Sequence, residues 1–367
     1  MSEMKAAYIV ERPKIGELEN KIRVDSTTIP APKASDLKPD EILVEVKAFS
    51  INIDDIHVSE ASFLGGLPKL QSVVPSIKKP LVVGSDFAGI IKAVGSAIDA
   101  NKYKVGLRVC GLNHRQAVFA ENGTWAEYTV TKEKSIVPVP DTISFVNAAA
   151  VVLPLFVIDG LLEVVRGKIG EKEKVLVVGA SGGIGSMLIK MLRAVFADFD
   201  LDITGVCSGR NKELVLKMGA NCVVDYTKGP IEASLEKKLY DVVFDCVGGT
   251  TTYKSSKAIL RKGGRFITCV GPEEWIGDKM SSGTEKISWV GKIIWYSVIL
   301  NLIPGSHPHY HMVAPSEMGK NTFILAFEKE ILPYVEKSIP FGDVGTMGEA
   351  FKLVRSHRVR GKVVFVI

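Results

Sequence analysis

The sequence predicts an α/β protein with two domains: a doubly wound parallel sheet and a smaller, β-rich barrel. Three observations lead to this prediction. The chain has 367 residues, more than a single hydrophobic core usually holds. Residues 1 to about 150 have the pattern of short strands, whereas strand-like and helix-like runs alternate beyond that point. At Lys174–Gly185, an apolar strand runs into a glycine-rich turn and then into a segment with helical periodicity.

The first part of the chain, residues 1–150, is predicted to form the barrel domain. Short apolar or alternating runs are separated there by glycine, proline and aspartate, which is typical of strands joined by turns. The loop Ala61–Lys79 contains several glycines and prolines, and loops of that length often form the rim of a site. The predicted strands are Ala6–Val10, Glu41–Phe49, Val82–Val94 and Trp125–Val130.

The second part, residues 151–309, is predicted to alternate strands with helices and therefore to form a parallel sheet. Residues 310–367 are predicted to return to the first domain, because a helix at Thr346–Ser356 precedes the apolar strand Gly361–Ile367. Further helices are predicted at Ile184–Ala197 and Asn211–Met218. The predicted strands are Val175–Gly179, Ile203–Cys207, Cys222–Asp225, Tyr240–Asp245 and Arg265–Val270.

The turn after the first strand of this sheet has the spacing of a dinucleotide-binding site. Its pattern, Gly179-x-x-Gly182-x-x-Gly185, lets backbone N–H groups and a helix N-terminus approach a pyrophosphate without obstruction by side chains. A glycine pattern alone is weak, but the strand before it and the helix after it strengthen the prediction. The candidate cofactor-binding residues of the turn are Gly179, Ser181, Gly182, Gly183, Ile184 and Gly185.

The end of the second strand indicates which dinucleotide binds. An NAD site usually carries an acidic residue there, but this strand is followed by Ser208 and Arg210. Asp200 and Asp202 come before the strand and are expected at its opposite end. Because a hydroxyl and a guanidinium bind a 2′-phosphate that a carboxylate would repel, the sequence favours NADPH over NADH.

The carboxyl ends of later strands complete the expected ligand crevice, since ligands bind at that edge of an open parallel sheet. Cys246 and Val247 follow the fourth strand, and Val270 and Gly271 lie at the end of the fifth. These four residues are further cofactor-binding candidates.

The composition and net charge of the chain favour some classes of function and argue against others. A net charge of +5 suits anionic cofactors, and no dense run of Lys and Arg with interleaved aromatics supports nucleic-acid binding. The five cysteines form no CxxC pair and are expected to be buried small hydrophobic residues in a reducing compartment. The N-terminus has no apolar signal core, so we expect an intracellular protein, cytoplasmic or, if a transit peptide is missing from the sequence, organellar.

Two segments invite other interpretations. Trp289–Ile303 is strongly apolar but is shorter than the roughly 20 residues that span a bilayer, so a buried or subunit-interface segment is favoured over peripheral membrane contact. The histidines of His307–His311 lie on a proline-containing segment without the helical spacing of metal ligands. No metal site is expected.

Several motifs spread over nearly the whole chain belong together. They are Ala48-x-x-Ile51-Asn52-x-x-Asp55, Pro80-x-x-x-Gly84-x-Asp86-Phe87-Ala88-Gly89, Gly123–Tyr128, Ala148–Pro154 and Gly361–Val364. With these motifs the chain resembles the zinc-independent branch of the medium-chain dehydrogenase/reductase superfamily, the quinone oxidoreductases and enoyl reductases. Within that branch it is similar to the reticulon-interacting mitochondrial reductases and the plant envelope quinone oxidoreductase homologues. The resemblance implies a Rossmann sheet, a GroES-like barrel, NADPH as cofactor and a homodimer.

The resemblance also implies a reaction, hydride transfer from the nicotinamide to a small-molecule quinone or α,β-unsaturated carbonyl. Zinc alcohol dehydrogenases of the superfamily carry His and Glu where this chain has Ser85 and Asp86, so no zinc is expected. Tyr226 resembles the tyrosine that lines the family's 2′-phosphate pocket. Two catalytic candidates follow, Asn52 as a polar group near the nicotinamide ribose or the substrate and Tyr128 as a proton donor.

One departure from the family pattern bears on activity. Where the family usually has a threonine near the nicotinamide amide, this chain has Asp159, which we count as a third catalytic candidate. A carboxylate accepts but does not donate, and it adds negative charge beside the cofactor. The alternative function is therefore a weakly active or inactive scaffold or complex subunit, with or without membrane association, that keeps nucleotide binding.

Overall fold

The computed structural model describes residues 3–60, 77, 79–113, 123–271, 308–315 and 317–367. They form two compact units. The first unit takes in the described residues up to Leu153 together with Val335–Ile367, and the second takes in those between Pro154 and Tyr334. The predicted segment Trp289–Ile303, and all of the predicted loop Ala61–Lys79 except residues 77 and 79, lie outside the described residues.

The strands of the first unit, numbered along the whole chain, are β1 (Glu3–Ile9), β2 (Arg23–Pro30), β3 (Glu41–Ile51), β4 (Leu81–Val82), β5 (Asp86–Val94), β6 (Arg108–Leu112), β7 (Tyr128–Lys132), β8 (Ile136–Pro138), β15 (Val335–Pro340) and β16 (Lys362–Val366). The larger sheet has the order β15-β16-β3-β5-β6-β8, with β7 also paired to β3. The smaller sheet has the order β2-β1-β4. The late strand β16 lies in this unit, where it pairs with β3 in antiparallel register.

The helices of this unit are α1 (Leu18–Lys21), α2 (Ile53–Ser59), α3 (Phe145–Ala150) and α9 (Val344–Arg355). Aromatic side chains fill much of its core, with the ring of Trp125 lying 6.0 Å from Phe49 and 5.4 Å from Phe351. Gly84 has a φ of +93°, and a Cβ there would lie 2.2 Å from Trp125 Cδ1. Only glycine therefore fits beside the buried Trp125 at this point of the chain.

The second unit is built around a six-stranded parallel sheet. Its strands are β9 (Lys174–Val178), β10 (Asp202–Cys207), β11 (Cys222–Asp225), β12 (Tyr240–Asp245), β13 (Leu260–Thr268) and β14 (His309–Met312). Its helices are α4 (Val152–Val165, which begins at the unit boundary), α5 (Gly183–Val195), α6 (Lys212–Lys217), α7 (Thr250–Ile259) and α8 (Lys320–Glu328). The strand order β11-β10-β9-β12-β13-β14 is that of a Rossmann sheet, so the predicted fold class is confirmed.

The cysteines differ from the expectation of uniform burial. Cys110 and Cys207 are buried, but Cys222 is exposed, and Cys246 and Cys269 are partly exposed. The expectation fails for Cys222 because its strand, β11, lies at the edge of the sheet. It fails for Cys246 and Cys269 because each lies one residue beyond the end of its strand.

Candidate functional site

The glycine turn after β9 has the form that a dinucleotide site requires. Gly179 has a φ of +80°, and a Cβ on it would lie 2.9 Å from Val247 Cγ2. A Cβ on Gly185 would lie 2.3 Å from the carbonyl oxygen of Gly179, so this glycine lets α5 begin directly against the turn. The first N–H groups of α5 have no acceptor within the helix and can bind an anion. A dinucleotide pyrophosphate therefore fits the backbone of this turn.

The predicted 2′-phosphate residues lie at the same edge of the sheet. Ser208 and Arg210 follow β10, and Tyr226 follows the neighbouring strand β11. Arg210 is exposed, and Tyr226 is 57% exposed, so both side chains are open to a ligand. Asn211 Nδ2 donates a 3.0 Å hydrogen bond to Ser181 Oγ and ties this segment to the glycine turn.

An acidic residue that the sequence argument overlooked lies in this region. Asp225 pairs with Cys207 in the β10–β11 register, and a Cβ on Gly209 would lie 2.4 Å from Asp225 Oδ2. Hydrogen bonds from the side chain and backbone of Thr227 lower the pKa of Asp225, so it is an anion at neutral pH. The signal that could have revealed it was the pairing of two adjacent parallel strands, which brings their carboxyl ends together.

The strand ends after β12 and β13 are organised by a buried pair, Asp245 and Thr268. Asp245 Oδ1 accepts from the N–H groups of Val247 (3.0 Å) and Gly248 (2.9 Å), and its Oδ2 accepts from Thr268 Oγ1 (2.9 Å). Thr268 Oγ1 in turn accepts from the N–H groups of Val270 and Gly271. Burial raises the pKa of Asp245. The predicted cofactor residues Cys246, Val247, Val270 and Gly271 therefore lie on two turns held by one shared network.

A buried polar cluster, formed by Asn52, Asp55, Ser85, Asp86 and Lys362, lies in the first unit. Asn52 Nδ2 donates to Asp86 Oδ2 (2.8 Å) and to Asp55 Oδ2 (3.1 Å), and its Oδ1 accepts from Lys362 Nζ. Ser85 Oγ donates to Asp55 Oδ1 at 2.5 Å, and Lys362 Nζ lies 3.9 Å from Asp86 Oδ2. All the side-chain polar atoms of Asn52 are thus used inside this cluster. Its catalytic role remains a prediction, and the geometry favours a positioning role.

Burial governs the charges of the buried polar cluster. It raises the pKa of Asp55 to about 7, helped by the nearby negative charge of Asp86. Burial also raises the pKa of Asp86, against the opposing effect of Lys362. For Lys362 burial lowers the pKa, while Asp86 and Asp55 oppose that change. The cluster therefore holds an ion pair between Lys362 and Asp86, with a dissociable proton on Asp55 near neutral pH.

The catalytic candidate Tyr128, predicted as a proton donor, lies elsewhere in the first unit. It pairs with Glu45 in the β3–β7 register, seven residues before Asn52 along the same chain. At about 3.3 Å per residue of strand, the two positions are roughly 20 Å apart. Tyr128 packs against the small cluster that contains Met4, Ala6 and Tyr8. The structure therefore does not bring Tyr128 together with Asn52, and its role as proton donor remains a prediction.

Asp159 on α4 contacts the start of α8. Thr322 Oγ1 donates to Asp159 Oδ1, and a Cβ on Gly319 would lie within 2.0 Å of the Asp159 carboxyl carbon. A carboxylate is favourable at a helix N-terminus, where the backbone N–H groups carry partial positive charge. This contact gives Asp159 a structural role, whereas the catalytic role predicted for it remains untested.

Replacing Asp159 by Ala is expected to lower the free energy of unfolding by about 1 kcal/mol, because α8 loses a negative group at its N-terminus. Thr322→Val should lower it by a similar amount, and the double variant by less than the two losses together. Urea unfolding of the four proteins measures this coupling, with Glu328→Ala at the other end of α8 as control. Fully additive losses would contradict the proposed contact.

Two further expectations from the sequence concern metal binding and membrane contact. His309 and His311 lie on β14 with their rings 6.5 Å apart, and His307 lies outside the described residues. Across the described ranges, no three His, Cys, Asp or Glu side chains are grouped so as to hold a metal ion. Of the helices in the described part of the chain, none is long and apolar enough to cross a bilayer.

The fold and the glycine turn together define a dinucleotide-binding protein with an added β-rich unit, and sequence families with this architecture match the chain. The alcohol dehydrogenase GroES-like domain family matches residues 38–141. The zinc-binding dehydrogenase family matches residues 218–365. A zinc-type alcohol dehydrogenase-like protein of Schizosaccharomyces pombe is 30% identical over 321 residues, which cover 86% of this chain and 86% of the relative.

The chain belongs to the medium-chain dehydrogenase/reductase superfamily, whose members are oxidoreductases. The mitochondrial NAD(P)H oxidoreductase RTN4IP1 of Bos taurus is 27% identical over 338 residues, covering 89% of this chain and 81% of the relative. The quinone oxidoreductase of Escherichia coli, solved in complex with NADPH, superposes with a TM-score of 0.69 at 18% identity. That superposition covers 99% of this chain and 100% of the bacterial one, and it confirms the fold.

Proposed function

We propose that this protein is an NADPH-dependent reductase that transfers a hydride to a quinone or an α,β-unsaturated carbonyl without zinc. The observation that carries the proposal is the placement of Ser208, Arg210 and Tyr226 at the edge of the sheet that bears the glycine turn. Arg210 is exposed there and supplies a bidentate cation for a 2′-phosphate. The names of two similar proteins support the same class of activity. One is an NAD(P)H oxidoreductase, and the other is a quinone oxidoreductase solved in complex with NADPH.

Residues of the second unit would hold the cofactor. The turn Gly179–Gly185 fits the pyrophosphate, and the segment after β10 fits the 2′-phosphate. The turns held by Asp245 and Thr268 lie further along the same edge of the sheet. The bound nicotinamide supplies the hydride, and reduction of a quinone then takes up one further proton from solvent or a side chain.

The absence of zinc is proposed from the chemistry of the side chains. Zinc in dehydrogenases is bound by thiolates, imidazoles and carboxylates. Asn52 and Ser85 offer an amide and a hydroxyl, and both are already bonded within the buried polar cluster. The two buried carboxylates there are bonded as well, Asp86 to Ser50 and Asn52, and Asp55 to Ser85. These side chains therefore suit a hydrogen-bonded network around the buried Lys362 better than a zinc site.

Arg210→Glu is expected to weaken NADPH binding about 100-fold, because a guanidinium partner of the 2′-phosphate is replaced by a repelling carboxylate. NADH binding should change far less, since NADH carries a hydroxyl at that position. Fluorescence titration with both dinucleotides measures the ratio. Lys212→Glu, the same charge change at a second exposed cation two residues away, is the matched control. An equal loss for NADPH and NADH would overturn the 2′-phosphate assignment.

A measurement of turnover distinguishes the proposed reductase from the alternative, a scaffold that only binds the nucleotide. The purified protein should oxidise NADPH when given a panel of quinones and enones, followed by the loss of absorbance of the reduced nicotinamide. If NADPH binds with the expected preference but no acceptor is reduced, the scaffold with retained nucleotide binding becomes the better description.

A further inference from the structure

Two partly exposed cysteines lie side by side at the ligand edge of the parallel sheet. Cys246 follows β12 and Cys269 follows β13, and the last register pair before them is Asp245 with Thr268. The next residues of two paired parallel strands stand opposite each other, about 4.8 Å apart between strands. That spacing lies inside the Cα separation of about 4.4–6.8 Å that a disulfide spans.

Backbone contacts hold both residues in this arrangement. The N–H of Cys246 donates to the carbonyl of Val178 at 3.1 Å, and the N–H of Cys269 donates to the carbonyl of Asp245 at 3.3 Å. The Cys269 thiol also approaches the Asp245 carbonyl at 3.7 Å. Strand pairing therefore continues through the two cysteines, and their side chains share one face of the sheet.

The Cys269 thiol also affects the protonation of Cys246. A hydrogen bond with Cys269, together with burial, raises the pKa of the Cys246 thiol well above its usual range. Cys246 therefore keeps its proton in this pair. Cys246 is accordingly assigned as the resolving thiol, and Cys269 as the thiol that peroxide oxidises first.

The pair also adjoins the glycine turn. A Cβ on Gly179 would lie 3.5 Å from Cys246 Cβ, and the next residue, Val247, lies closer still, with its Cγ2 2.9 Å from that position. A disulfide requires a Cβ···Cβ separation of about 3.8 Å, so its formation fixes Cys246 and the attached Val247 relative to β13. Any displacement there is transmitted to the turn at Gly179, where packing leaves no free space.

We propose that Cys246 and Cys269 form a reversible disulfide when hydrogen peroxide oxidises the protein, and that this disulfide weakens dinucleotide binding at the neighbouring glycine turn. The second half of this proposal rests on the proposed function, because it requires that turn to bind NADPH. Cysteines of intracellular proteins rarely form permanent structural disulfides, and a transient redox role is the common exception.

The chemistry balances with peroxide as the oxidant. The Cys269 sulfur attacks one peroxide oxygen, the O–O bond breaks, and the departing hydroxide takes up the Cys269 proton to form water. The resulting sulfenic acid is attacked by the sulfur of Cys246, the S–O bond breaks, and a second water leaves after taking up the Cys246 proton. Together the two thiols lose two electrons and two protons, and one peroxide becomes two waters. A dithiol reductant reverses the reaction by exchange.

Peptide mapping and thiol counting after peroxide treatment test the covalent step. The expected result is a Cys246–Cys269 linked peptide, loss of two thiols, and full recovery with dithiothreitol. Cys222→Ser removes an exposed cysteine outside the pair and should leave the linkage unchanged. Cys269→Ser should abolish it. Irreversible oxidation of the two residues without a linked peptide would overturn the proposal.

NADPH fluorescence titration of the reduced and oxidised protein tests the consequence. We expect oxidation to weaken binding at least tenfold, and dithiothreitol to restore it; in Cys269→Ser, peroxide should no longer change the affinity. Equal affinity of the reduced and disulfide forms would overturn the regulatory half of the proposal. If the reduced protein does not bind NADPH, the proposed function fails instead, and the peptide map still decides whether the disulfide forms.

Discussion

Lys362→Met is expected to lower the free energy of unfolding by about 3–5 kcal/mol, because it leaves a buried carboxylate without its cation. Asp86 is fully buried, and Lys362 is 5% exposed. The ammonium of Lys362 lies 3.9 Å from Asp86 Oδ2 and donates to Asn52 Oδ1. Methionine fills a similar volume, so the change removes the charge and its hydrogen bond with little loss of packing. Urea unfolding at pH 7 measures the difference.

Two further variants test whether loss of the Lys362 charge is what lowers the free energy of unfolding. Lys337→Met makes the same replacement at an exposed lysine that is paired with Val363 on the adjacent strand, and it should change stability by less than about 0.5 kcal/mol. Asp86→Asn added to Lys362→Met removes the orphaned charge and should recover a large part of the loss. A Lys362→Met protein as stable as the parent would contradict the buried ion pair.

Asp55→Asn is expected to remove a pH dependence of stability between about pH 4 and 7. The Asp55 carboxyl has a pKa of about 7 in the folded chain against an ordinary value of 3.8. The folded state therefore keeps a proton that the unfolded state releases in this window, so its contribution is complete below pH 4 and is lost as pH rises through 7. At about 1.4 kcal/mol per pKa unit, the variant should be more stable than the parent by ~2–4 kcal/mol at pH 8.

The matched control for that titration is Asp54→Asn, which makes the same charge change one residue earlier on α2, where the side chain is only half-buried. Unfolding free energies of the three proteins from pH 4 to 8 separate the two positions. A flattened profile for Asp54→Asn as well would show that net charge, and not the buried Asp55, produces the slope. An unchanged profile for Asp55→Asn would contradict the raised pKa.

Strands of the parallel sheet were predictable because a buried strand and its turn leave a local signature. The predictions Cys222–Asp225 and Tyr240–Asp245 match β11 and β12 to the residue. The strand β13 begins at Leu260, earlier than the predicted start at Arg265. Its first residues are rich in glycine and charged side chains, so they lack the apolar pattern of a buried strand. The helices α3 and α4 had no amphipathic period to detect, since the segment Ala148–Ile158 is buried on every side.

Contacts between distant parts of the chain left no such signature. Lys362 joins Asn52 across 310 positions, so the buried polar cluster could not be assembled from motifs, although the members Asn52, Asp55 and Asp86 were each noticed. Asp225 was overlooked for the same reason, because its approach to Gly209 follows from the pairing of β10 with β11. The glycine turn could be predicted because its strand, turn and helix are consecutive.

The position of β16 between β3 and β15 has a consequence for biosynthesis. A ribosome makes every strand of the second unit before it makes the strand that completes the first. At about 5–20 residues per second, the early part of the first unit waits roughly 10–40 s on the ribosome for its missing strand and for the ammonium of Lys362. During that interval Asp86 has no cation from β16, and the end of β3 at Ala48–Ile51 presents an open edge of the kind that invites aggregation. The second unit is therefore expected to fold first, and the nascent first unit is the part of the chain that needs protection by chaperones.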